Sequence, residues 1–236
     1  MTSPWHNLLF DAETGVAHIS LRDAIGCYGI PSADLGRELA ALKPKQIELL
    51  IDTTGGACIS GLNTHAILSK YQTEVLITGN CWSAGIIVAM SGKKICCYPD
   101  AKILVHGPTT HIIAAPRELR AAANRLESLT AEIGKIIRQR TGQDARTVSR
   151  WLSRDTWFDA TEAKRAGLVD RIVKKPTPRP GTALARIAAA RDAMPESEAV
   201  FRDWLCAFGK IEVKDRQQFA RDVHCWLASN VRQMDT

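Results

Sequence analysis

Gly79-Asn80-Cys81-Trp82-Ser83-Ala84-Gly85 sets a serine between two apolar runs. Before it, Val75-Leu76-Ile77-Thr78 reads as a buried strand; after it, Ile86-Ile87-Val88-Ala89-Met90 reads as a buried helix. A serine at that junction is held rigidly, with its hydroxyl at the tip of a sheet. It also stands where helix N–H groups point outward, which suits a nucleophile that must stabilise an oxyanion. The plain alternative is an N-cap, since serine is a favoured capping residue.

A serine nucleophile needs a base and an orienting acceptor, and the chain holds six histidines as candidates for the base. His106 ends the strand-like run Lys102-Ile103-Leu104-Val105 and precedes Gly107-Pro108. It alone shares the strand-end context of Ser83. His65 lies in a helical stretch, and His6, His18, His111 and His224 fall in a terminus, a strand, an extended stretch and a late helix. An ordinary half-exposed histidine is the alternative for His106. Asp155, in Leu152-Ser153-Arg154-Asp155-Thr156-Trp157-Phe158, sits between a helix and a short strand. By itself a carboxylate beside an arginine reads as a surface ion pair.

Five motifs in order resemble the Clp protease proteolytic subunit family. They are Asp52-Thr53-Thr54-Gly55-Gly56, then Gly79 to Gly85, then Leu104 to Pro108, then Arg154 to Ala163, then Ala166-Gly167-Leu168-Val169-Asp170. The resemblance covers roughly residues 15 to 175. It implies a serine endopeptidase with Ser83 as nucleophile, His106 as base and Asp155 as orienting carboxylate. It implies an oxyanion hole from the N–H groups of Gly56 and Ala84. It further implies protein or peptide substrates and homo-oligomeric rings; no cofactor is expected, and the sequence shows no metal-ligand cluster. The helix from about Pro116 to Arg140 becomes a protruding handle through which rings stack, and Thr109 to Ala115 a handle strand. A substrate backbone is then expected to pair between that strand and Ala57 to Ser60, which puts Ala57, Ile59, Pro108 and Thr109 at the substrate.

Departures matter too. The family usually carries Ser-Pro where this chain has Thr53-Thr54, and small residues where it has Cys81 and Trp82. A short N-terminal stretch weakens the expectation of an ATP-driven unfoldase as partner. Shortened relatives of this kind are head maturation proteases of phages and prophages. The related signal-peptide peptidases often use a serine–lysine dyad, which the Ser83, His106, Asp155 set argues against. Two rivals stay open: an acyl-CoA enzyme of the crotonase superfamily, which shares the fold, and a non-catalytic ring component.

Strand-like runs at Val16 to Leu21, Ile47 to Ile51, Glu74 to Thr78, Lys94 to Tyr98 and Lys102 to His106 alternate with helical runs at Ser32 to Leu42, Ser60 to Lys70 and Ala84 to Ser91. That alternation predicts an α/β fold with a mostly parallel sheet covered by helices. In such sheets, sites lie beyond the carboxyl ends of strands, where Gly55-Gly56, Ser83 and His106 all fall. On the long helix, Leu119, Ala122, Leu126, Leu129, Ile133 and Ile136 recur at steps of three and four. This narrow seam places Leu126 and Ile133 against another subunit.

Two regions follow: residues 1–175 as the protease-like domain, and 176–236 as a Pro-rich linker with a helical extension of unknown role. The boundary falls within the Pro-rich basic run Lys174-Lys175-Pro176-Thr177-Pro178. No run is long enough for a membrane span. Seven cysteines without paired spacing read as reduced core residues of a cytoplasmic protein. Cys81, beside the serine, reads as packing rather than chemistry. The net charge of +6 is spread along the chain, with no basic-and-aromatic stripe that points to nucleic acid.

Overall fold

A computed structural model describes residues 6–22, 24–26 and 32–175. The linker and helical extension expected at 176–236 lie outside the described residues.

The chain opens with the hairpin β1 (His6–Asp11) and β2 (Val16–Leu21). It continues through α1 (Ser32–Leu42), β3 (Gln46–Thr53), α2 (Cys58–Leu68), β4 (Thr73–Trp82), α3 (Ala84–Ala89), β5 (Lys94–Cys97) and β6 (Lys102–Val105). Then come α4 (Pro116–Thr141), α5 (Ala145–Leu152), β7 (Thr156–Phe158), α6 (Ala160–Ala166) and β8 (Arg171–Ile172). The main path of the sheet runs β1-β2-β3-β4-β5-β8, and only the β1–β2 pair on it is antiparallel. The fold is therefore α/β with a mixed, mostly parallel sheet, as the alternation of runs predicts.

The core is a single apolar cluster. Alternate residues Ile19, Leu49, Val75 and Ile95 are register partners across β2, β3, β4 and β5, and all are buried. Side chains on one face of a sheet recur every second residue, so one face stays apolar across four strands. Buried Leu35, Leu39, Leu62, Leu68 and all of α3 join the same cluster.

One difference from the expected strands decides the site. β4 runs to Trp82 instead of ending at Thr78. Gly79 makes room for Asp52: a Cβ on Gly79 would lie 2.4 Å from Asp52 Oδ1. That same oxygen accepts a hydrogen bond of 2.8 Å from the Asn80 N–H. β4 therefore changes neighbour midway. Glu74–Ile77 pairs with β5, and Asn80–Trp82 pairs with β6, so the sheet branches at its carboxyl end.

The long helix α4 starts at Pro116, a favoured first helical position, and stops at Gly142 in the left-handed region. Its seam corrects the sequence expectation. Ile133 is 2% exposed and Ile137 fully buried, both inside this chain's own core, whereas Leu119 is 43% exposed. The carboxyl half of α4 is thus spent on its own domain. Its first three turns carry no buried side chain. Nor is Thr109–Ala115 a strand in the single chain: it forms no ladder among the described residues.

Candidate active site

Ser83 follows the last residue of β4 and precedes α3. Its backbone sits at φ 53°, ψ −117°, one of two described non-glycine residues with positive φ. L-residues avoid that region, and strained turns of this kind cluster at functional sites. The hydroxyl makes no capping hydrogen bond, so the N-cap alternative does not account for the serine. The Ser83 N–H donates to Leu104 O at 2.9 Å and locks the turn to β6.

Strand register then brings the three predicted residues to one edge. Trp82 pairs with Leu104 in parallel, which sets Ser83 beside Val105. Val105 pairs with Thr156 in the antiparallel β6–β7 ladder, which sets His106 opposite Asp155. Adjacent strands lie about 4.8 Å apart, so Ser83, His106 and Asp155 stand on three neighbouring strand ends. Their side chains make no hydrogen bonds with one another among the described residues. Ser83 and His106 are half-buried and Asp155 is exposed.

The glycine pair packs directly on the serine. Gly55 has φ +101°, and a Cβ there would lie 2.8 Å from Ser83 Cβ and 2.7 Å from Trp82 O. Gly56 has φ +135°, and a Cβ there would meet the Ile25 backbone at 2.4–2.5 Å. Both positions demand glycine on conformation and on space. Ile25 N donates to Gly55 O at 2.6 Å, and Ala57 N donates to Ile25 O at 2.9 Å. Bonds in a parallel pairing alternate sides along the strand, so the Gly56 N–H points away from Ile25. Neither it nor the Ala84 N–H has a hydrogen-bond partner among the described residues. Two free N–H groups flanking a strained serine have the character of an oxyanion hole.

The predicted substrate residues divide. Thr109 is exposed and Pro108 half-exposed, and from Pro108 to Ala114 no backbone hydrogen bond forms among the described residues. That edge is open. Ala57, however, is the N-cap of α2, and Cys58, Ile59 and Ser60 form its first turn. A helical turn offers no extended edge, which corrects the expectation that a substrate strand pairs along Ala57 to Ser60. Ile59 is instead a side chain exposed at 57% beside the glycine loop.

Other groups near the serine are chemically quiet. Cys81 is fully buried, and burial first, then Asp52 and Cys97, pushes its thiol up, so it stays protonated. Burial likewise pushes the Cys97 thiol up to about 12. His65 hydrogen-bonds Ile87 O through Nδ1 at 3.0 Å, tying α2 to α3. Burial holds it below the ordinary histidine range. Among the described residues no group of histidine, cysteine and carboxylate side chains is placed to hold a metal ion, and no helix is long and apolar enough to cross a membrane.

Comparison with known proteins points to one family. A family model described as Clp protease matches residues 33–176. The ATP-dependent Clp protease proteolytic subunit 3 of Rhizobium etli is 30% identical over 139 residues, covering 57% of this chain and 72% of that protein. The proteolytic subunit 1 of Streptomyces coelicolor is 29% identical over 147 residues, covering 61% of this chain and 67% of that protein. The solved structure of a ClpP1 point mutant from Listeria monocytogenes is similar in fold, with a TM-score of 0.59 at 24% identity over 69% of this chain and 93% of that one. With more than half of its length matched by one family model, the chain belongs to the Clp protease family, a family of peptidases.

Proposed function

We propose that this chain is a serine endopeptidase that works through Ser83, His106 and Asp155 within a ring of like subunits. The observation that carries the reading is the strained serine: positive φ, a hydroxyl not used as a cap, and two unpartnered N–H groups beside it. His106 accepts the Ser83 hydroxyl proton as Oγ attacks the peptide carbonyl carbon. Asp155 orients the imidazole and stabilises the imidazolium. The carbonyl oxygen gains charge as the tetrahedral intermediate forms, and Gly56 N–H and Ala84 N–H receive it. Losing one such donor typically costs on the order of 3 kcal/mol of barrier. His106 returns the proton to the leaving amine, and water then releases the acyl group from Ser83 by the same path.

The open edge at Pro108 and Thr109 supports binding by strand addition, which reads a substrate's backbone more than its side chains. The exposed first turns of α4 and the unpaired stretch before it support assembly into rings, because both present surface that the single chain leaves uncovered. The unmade hydrogen bonds of the triad fit the same reading: they tighten when substrate or a neighbouring subunit orders the edge.

A fluorophosphonate probe followed by peptide mapping tests the reading. The expected result is one adduct, on Ser83, lost in Ser83→Ala. Acyl-CoA turnover without labelling would favour the crotonase-type rival. Silence in both assays would favour a non-catalytic ring component.

A further inference from the structure

The strands that carry the triad are tied together by a contact that no triad residue makes. Trp82, Leu104 and Trp157 are register partners across β4, β6 and β7. Register partners share a sheet face, so the two tryptophans flank Leu104 on one side of the sheet. They meet edge to face over it, with ring centroids 5.2 Å apart and planes at 83°. Trp82 directly precedes Ser83, and Trp157 is the middle residue of β7, the strand that Asp155 immediately precedes.

β7 has reason to need such a tie. It is three residues long and, among the described residues, pairs only with β6. Its opposite face is held in the same manner, by Phe158 against Trp151 of α5, again at 5.2 Å and 83°. Asp155 makes no side-chain hydrogen bond among the described residues, so its placement depends on the backbone of β7. Nor is Trp82 anchored through its polar atom. Its indole N–H is buried and has no hydrogen-bond partner among the described residues. Buried indoles usually find one, so here the ring contact is what fixes the side chain.

We propose that the Trp82–Trp157 pair is a positioning clamp, holding the strand that bears Asp155 in register with the strand that bears Ser83 across the strand that bears His106. The proposal rests on the triad reading above. Neither tryptophan is a catalytic residue in it; both act through the geometry of the others.

The test uses the full chain as parent, Trp82→Leu, Trp157→Leu, the double variant and Trp157→Phe. Steady-state kcat and KM are measured on a fluorogenic peptide, with fluorophosphonate labelling of the parent. A misplacement of about 1 Å costs up to about 100-fold, so each leucine variant should lose about 10- to 100-fold in kcat with little change in KM. The double variant should be no slower than the slower single, because one contact is broken once. Phenylalanine at 157 keeps an edge for the contact and should recover most of kcat. Should leucine at 82 prevent folding, the exposed Trp157 carries the test alone, as leucine against phenylalanine. Additive losses, a change confined to KM, or parental kcat in both leucine variants would overturn the clamp. A parent that neither labels nor turns over would instead overturn the triad reading, and the clamp with it.

Discussion

The end of β4 and the stretch from His106 to Ala115 meet at the same site but are held in opposite ways. Cys81 on β4 pairs on one side with Thr53 and on the other with Ile103, and the turn at Ser83 is pinned by its bond to Leu104. By contrast, after the Gly107 N–H bonds Leu152 O, the backbone makes no further hydrogen bond until Ala115, and Ile113 is fully exposed. The first region is built by the chain's own packing; the second is left open among the described residues, and in the proposed function another chain completes it. A peptidase needs both, since the nucleophile must be fixed before substrate arrives while the binding edge must stay open to it.

Substitutions should separate the two regions by what they damage. Ile133 is buried in the domain and Leu126 lies about two turns outward on the same helix. Ile133→Asp buries an unpaired charge and should cost several kcal/mol, enough to abolish the folded domain. Leu126→Asp should leave the melting temperature within a few degrees of the parent while lowering the assembly mass in light scattering. Equal damage to folding by both would show that the outer part of α4 also packs on its own domain.

Gly55→Ala should come next in size. It forces an alanine to φ +101° and drives a Cβ against Trp82 O and Ser83 Cβ. The conformational strain alone costs about 1–3 kcal/mol. Peptide turnover should fall further than this loss of stability explains, because the displaced group is the serine turn itself. Thermal melting beside turnover for parent and variant would show it; a melting shift with full turnover would mean the loop does not shape the site.

The smallest effect concerns pH. Burial lowers the pKa of His65 from 6.5, with the Ile87 bond and Glu132 opposing that shift. The unfolded chain therefore takes up its proton first as pH falls. Stability from this group is whole above about pH 6.5 and drains as pH drops toward the folded value. The melting temperature should decline from pH 7.5 to 5.5, and less steeply in His65→Gln. A slope remains in that variant, since burial also lowers His6. Identical slopes would remove His65 from the account.

What could be read from the sequence follows local chemistry closely. β2 at Val16–Leu21 and α1 at Ser32–Leu42 stand where periodicity puts them. Local chemistry also starts two short helices: Asp144 accepts from Thr147 N–H at 2.8 Å, and Asp159 and Glu162, three residues apart, form a capping box. Elements governed by distant partners carry no such local signal. The extension of β4 through Gly79 depends on Asp52, 27 positions earlier in the chain. The burial of Ile133 depends on what α4 lies against, which no heptad pattern states. At the site, the serine and histidine are legible as strand ends. Asp155 acquires its place only through family resemblance, because its pairing opposite His106 arises from a three-residue strand. Trp157 gave no signal as a site residue: its relation to Trp82 exists only once β4, β6 and β7 lie side by side.

The central claim is that Ser83 is the nucleophile of a site whose scaffold does not depend on it. Peptide turnover by purified Ser83→Ala, with melting temperature and assembly mass recorded on the same samples, tests this most directly. The account predicts turnover at the uncatalysed background with both physical quantities matching the parent. Parental turnover in Ser83→Ala would contradict it.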